Sequence, residues 1–126
     1  VSYYHWLRGQ SFAHPAVGLA RTHDFAGFLD HPQIQKSYRL WPYGAWMRDT
    51  TGQERARLFI RLERFAEDVA PLDAHLGFAL RMGRANESDR QRDWRPFFTD
   101  RTAGLIAELC AEDIARFGYA FDDFRP

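Results

Sequence analysis

The sequence predicts a mainly α-helical chain with one or two short strands, on three observations. Leu62, Phe65, Ala66, Val69, Leu72 and Leu76 recur at helical spacing, and so do Leu105, Ile106, Leu109 and Ile114. Stop and start signals bracket these runs: Gly77 closes the first, Thr99 opens the second and Gly118 closes it. Residues 56–60 form a short apolar run of the length of a buried strand rather than a helix.

Taken in order, residues 2–9 place Tyr3, Trp6 and Leu7 at i, i+3, i+4, one helix face, with Gly9 as the stop. Residues 11–21 mix Pro15, Gly18 and small side chains and read as irregular. Thr22 is the expected cap of a helix over 23–30, with Phe25, Phe28 and Leu29 facing inward. Pro32 suits the first turn of a short helix over 33–36. Residues 38–47, with Trp41, Pro42, Tyr43, Gly44 and Trp46, have no period and read as an aromatic loop. Asp49-Thr50-Thr51-Gly52 is a turn signal, and a helix over 63–76 follows the strand, kinked or split at Pro71. Residues 81–95 are an arginine-rich, charged loop, and the longest helix runs over 100–117.

The 126 residues are 45% hydrophobic and 16% aromatic, enough for one compact core, so residues 1–126 are read as one domain. Seventeen basic and seventeen acidic side chains cancel, which leaves no overall field to draw nucleic acid or an anionic membrane. No stretch approaches the roughly 20 apolar residues needed to span a bilayer, so the expectation is no membrane partner and a cytoplasmic location. Cys110 is the single cysteine, which excludes an internal disulfide. The chain opens on Val1 directly inside an aromatic run, which reads as a cut through a longer protein.

Ser2 stands at a helix start, where a hydroxyl beside backbone N–H groups suits a phosphate; a serine there is more often only a cap. The arginines of the 81–95 loop match phosphate oxygens in bidentate fashion, against the commoner reading of a solvated loop balanced by Glu87, Asp89 and Asp93. His5, His14, His23, His31 and His75 lack metal-ligand spacing, so no metal site is expected. Glu63, Glu67, Asp68 and Asp73 share one helix and are explained by a charged outer face and by pairs such as Arg64–Asp68. Tyr38, Trp41, Tyr43 and Trp46 offer faces on which sugar rings stack, although aromatic residues serve more often as core.

Three patches in order resemble the sulfotransferase superfamily of bacterial and carbohydrate type, whose members use 3′-phosphoadenosine 5′-phosphosulfate. Val1-Ser2-Tyr3-Tyr4-His5-Trp6 resembles the end of the family segment Arg-Asn-Pro-x-Asp-x-x-Val-Ser-x-Tyr. Phe59-Ile60-Arg61-Leu62-Glu63-Arg64-Phe65-Ala66-Glu67-Asp68 is similar to its strand-then-helix segment. Arg84-Ala85-Asn86-Glu87-Ser88, then Asp93-Trp94-Arg95-Pro96-Phe97-Phe98-Thr99 and the run from Ala111 to Tyr119, resemble its C-terminal end.

The resemblance implies the C-terminal portion of a three-layer α/β, phosphate-loop-type fold. It makes Ser2, Arg84, Asn86 and Ser88 candidates for the donor's 3′-phosphate, although the loop departs from the Arg-Lys-Gly of the cytosolic branch. The acceptor would be a small molecule or carbohydrate hydroxyl. The phosphate loop with its lysine and the catalytic base would lie upstream, so no catalytic residue is assigned and these residues alone are expected to be inactive. A non-catalytic helical module, burying its aromatic face against a second copy as a homo-oligomer, is the alternative.

Overall fold

The computed structural model describes residues 1–83 and 93–122. The chain forms two compact units: residues 1–46 with the segment from 88 onward, and residues 47–87. Helix dominates, as expected. Among the described residues no strand forms, and β pairing is confined to one isolated bridge, Arg48 with Glu54.

The first unit contains α1 (Ser2–Gly9), α2 (Pro15–Thr22), α3 (Phe25–Asp30), α4 (Pro32–Leu40), α5 (Tyr43–Trp46), α8 (Asp100–Leu109) and α9 (Ala111–Phe117). Helix α2 replaces the irregular stretch expected over 11–21. Pro15 presets its first turn, the His14 ring accepts from Ala16 N–H at 3.2 Å, and Ala16, Val17 and Ala20 are buried on one side. Small side chains hide this face from a hydropathy pattern. Thr22 closes α2, its hydroxyl donating to Gly18 O at 2.9 Å, and Asp24 caps α3 by accepting from Gly27 N–H at 2.7 Å.

The His31 ring accepts from Gln33 N–H at the start of α4, which runs to Leu40, well past the expected 33–36. The aromatic loop expected over 38–47 is the end of α4 followed by the single turn α5. The helix expected over 100–117 is divided at Cys110 into α8 and α9. Its start is as expected: the Thr99 hydroxyl accepts from Thr102 N–H, the Thr102 hydroxyl accepts from Thr99 N–H, and Gly118 ends α9 at φ 66°.

The core joins Tyr4 and Leu7 of α1, Ala16, Val17 and Ala20 of α2, Phe25, Phe28 and Leu29 of α3, and Ile34 of α4. Leu105 and Ile106 of α8 and the Phe97–Phe98 pair pack against it. The Tyr4 hydroxyl donates to His23 O at 2.8 Å and accepts from Arg8 at 2.7 Å, so a buried phenol is satisfied. Arg101 forks onto Asp30 at 2.7 and 2.8 Å, tying α8 to α3 and holding the Asp30 carboxyl below its ordinary range.

The second unit holds a 3₁₀ turn (Leu62–Arg64), α6 (Phe65–Asp68) and α7 (Ala70–Leu76). Pro71 lies in the first turn of α7, so the helix expected over 63–76 is split there, and Gly77 closes α7 at φ 77°. Residues 56–60, expected as a strand, carry no ladder partner among the described residues. A lone strand leaves its backbone groups unpaired and does not persist as β-structure.

Val69 is the one fully buried apolar side chain among this unit's described residues, so polar ties matter more. Arg61 grips Asp68, its backbone N–H, Nε–H and Nη2–H donating at 2.7–2.9 Å, while the charge of the expected partner Arg64 adds to the pull on that carboxylate. That grip holds the Asp68 carboxyl well below the usual carboxylate range. The Thr51 hydroxyl and Arg55 likewise lower Asp49, to about 2.

Both acids are bound in their ionised form. Their stabilisation is complete above the ordinary carboxylate value of about 3.9 and is lost as pH falls below it toward the folded values. Amide spectra recorded from neutral pH downward are expected to show this unit losing dispersion mainly between about pH 4 and pH 2. Asp68→Asn is expected to flatten that dependence; an unchanged profile would contradict the role given to the Arg61 grip.

Candidate functional site

Ser2 occupies the first position inside α1, one residue past the N-cap Val1, and is exposed at the positive end of the helix. The first turn of α1 itself carries no acidic residue. Tyr4 and Leu7 bury one side of α1, and this fixes the helix from which Ser2 projects.

The segment after residue 92 packs on this same helix. The His5 ring, one turn beyond Ser2, meets Phe97 edge-on at 5.0 Å. Phe25 links both sides, at 5.5 Å from Tyr4 and 5.0 Å from Phe98. Phe98 also meets Trp94 at 6.0 Å. The Val1–Trp6 patch and the Trp94–Thr99 patch, more than 85 positions apart in sequence, therefore share one aromatic cluster.

Of the predicted phosphate-contacting residues, Ser2 is placed; Arg84, Asn86 and Ser88 lie outside the described residues. Arg95, at the end of the arginine-rich stretch, donates to Asp93 at 3.1 Å, stacks over Trp94 at 5.0 Å and lies 3.9 Å from Asp122. Arg101 is held by Asp30. These two guanidinia serve the packing of the unit. Asp68 and Asp73 are also occupied, Asp68 by Arg61 and Asp73 by Leu80 N–H at 2.8 Å, which leaves no acid/base pair between them. Among the described residues no group of three His, Cys, Asp or Glu side chains converges as a metal site, and no helix is long and apolar enough to cross a membrane.

A cleft of about 540 Å³ opens in the first unit, lined from α4 by Gln33, Ile34, Ser37 and Tyr38, with Trp41, Tyr43 and Trp46 from the following turn and Tyr3, His14 and Ala16 opposite. The aromatic run read chiefly as core is instead largely at the surface: Trp41, Tyr43 and Trp46 are 56%, 66% and 69% exposed. The Trp41 and Trp46 rings lie 5.2 Å apart, tilted by 35°. Tyr38 alone is well covered, and burial pushes its phenol up to about 12. Sequence reasoning missed Gln33 and Ser37, whose i, i+4, i+8 spacing with Trp41 becomes legible once α4 is known to run to Leu40.

Comparison of the chain with protein-family models, with curated proteins and with solved structures gives no match.

Proposed function

We propose that the chain is the C-terminal portion of a sulfotransferase, whose full protein transfers a sulfuryl group from 3′-phosphoadenosine 5′-phosphosulfate to an acceptor hydroxyl. The observation that carries this reading is the packing of the Trp94–Thr99 patch onto the helix begun by Ser2. Two of the three patches that resemble the family are thereby neighbours, as a shared 3′-phosphate site requires.

In this reading the Ser2 hydroxyl donates to a 3′-phosphate oxygen, and the positive end of α1 stabilises the phosphate charge. Arg84, Asn86 and Ser88 are proposed to close on the same group, Arg84 by a charge-assisted fork. Phosphate binding of this kind positions the donor. Transfer itself further needs a base on the acceptor hydroxyl and positive charge on the leaving phosphate. Those groups belong, on this proposal, to a parallel-sheet portion of a three-layer α/β parent encoded upstream.

The test is a transfer assay with radiolabelled donor and a panel of hydroxylated acceptors. The protein extended upstream through its reading frame is expected to transfer label, and residues 1–126 alone are expected not to. An upstream frame without a glycine-rich lysine loop, or an extended protein that does not hydrolyse or transfer the donor's sulfate, would sink the proposal.

A further inference from the structure

The cleft lined by α4 and α5 is separate in kind from an anion site. Among the described residues, no Asp, Glu, Lys or Arg lines it. A charged ligand would therefore enter without a counter-charge, at a desolvation cost the walls do not offset.

Its polar groups are few, chiefly Gln33 and Ser37 on α4 and His14 across from them. Neither the Gln33 side-chain amide nor the Ser37 hydroxyl bonds another described residue. His14 Nδ1 accepts the Ala16 N–H, so the neutral ring carries its proton on Nε2, which makes that atom a donor. The remaining surface is mostly aromatic, with Ala16 and Ile34, and its two tryptophans lie with their indole rings tilted by 35°. Volume and lining, mostly apolar with a few convergent polar groups, are those of a small-molecule site.

The aromatic wall is also held in place. Tyr43 N–H, at the start of α5, donates to both oxygens of Asp113 at 3.0 and 3.2 Å, and the Tyr43 ring meets Phe117 edge-on at 6.0 Å. Gly44 is buried so closely against α9 that an added Cβ would stand 2.6 Å from Glu112 and 2.8 Å from Arg116. A turn anchored this way leaves less backbone for a ligand to order.

We propose that this cleft binds a neutral carbohydrate, an uncharged pyranoside whose C–H face stacks on Trp41 and Trp46 while its hydroxyls meet Gln33, Ser37 and His14. A sugar ring combines an apolar face with a hydroxylated rim, and that combination matches aromatic rings beside a few side-chain amide, hydroxyl and imidazole groups. The inference does not depend on the sulfotransferase reading; if both hold, the cleft receives the acceptor.

The test uses the 126-residue chain without nucleotide, so that its result is independent of the donor site. Methyl glycosides of glucose, galactose and N-acetylglucosamine, with lactose and cellobiose, are titrated while the tryptophan indole N–H signals are followed by NMR. At least one sugar is expected to shift the Trp41 and Trp46 signals saturably. Trp41→Ala and Trp46→Ala are each expected to weaken it roughly fivefold, Trp46→Phe to restore part of the loss, and Phe78→Ala, at an exposed ring that does not line the cleft, to change nothing. Retained amide dispersion in each variant separates lost binding from lost fold. The proposal is overturned by the absence of any saturable shift or by binding that survives both alanine variants. It is equally overturned by binding of 4-nitrophenol in place of the sugars, or by sedimentation and indole signals showing a second copy covering the rings.

Discussion

Phe28→Ala is expected to lower the stability of the first unit by about 3–5 kcal/mol, the range for deleting a buried phenyl group. Phe28 is 1% exposed in α3, the helix that packs against α2, α4 and α8 together. Its ring lies 5.3 Å from Tyr4, and Leu7 and Leu29 are buried in the same cluster. These side chains belong to α1 and α3, and α3, itself capped by Asp24, packs on α2 and α4, which are capped by His14 and His31, so the cavity has little room to collapse. Domains of this size are stable by on the order of 5–15 kcal/mol, so such a loss is a large share of the whole. Chemical denaturation followed by near-ultraviolet circular dichroism reads the change. Phe12→Ala, at a ring 48% exposed, is expected to stay within about 0.5 kcal/mol. Equal effects at the two positions would contradict the core described above.

The parts of the fold written in local chemistry were legible. Thr99 as a cap, Gly77 and Gly118 as left-handed stops, and Phe25, Phe28 and Leu29 as an inward face all depend on neighbours within a few residues. Helix α2 was not, because its buried side is made of Ala16, Val17 and Ala20 and its cap is a histidine ring in place of the usual hydroxyl or carboxylate. The 56–60 run shows the opposite error. Apolar, strand-length sequence states a willingness to pair, but a strand also needs a partner distant in the chain, which local pattern does not supply. Likewise the division of the last long helix at Cys110 leaves its hydropathy period intact on both sides and so has no signature in the sequence.

Ser2 at a helix start was readable from its surroundings, whereas the exposure of Trp41, Tyr43 and Trp46 was not. Aromatic residues are intermediate in burial, and their placement here follows from the turn that carries α5 outward against α9. The adjacency of the first and last patches was likewise invisible, since it rests on contacts such as His5 with Phe97 across 92 positions.

Ser2→Ala is expected to weaken binding of adenosine 3′,5′-bisphosphate by about 10- to 100-fold in the protein extended upstream, the effect of losing one hydrogen bond to a charged group. The substitution is mild for the fold, because Ser2 is exposed at the first position of α1 and alanine is the better helix former. Retained amide dispersion in the variant separates a loss at the phosphate from a loss of fold. The most direct test of the account is a calorimetric titration of this nucleotide into the extended protein, with and without Ser2→Ala. Tight binding that falls by one to two orders of magnitude in the variant is the predicted result. No binding by the extended protein, or binding indifferent to Ser2, would contradict it.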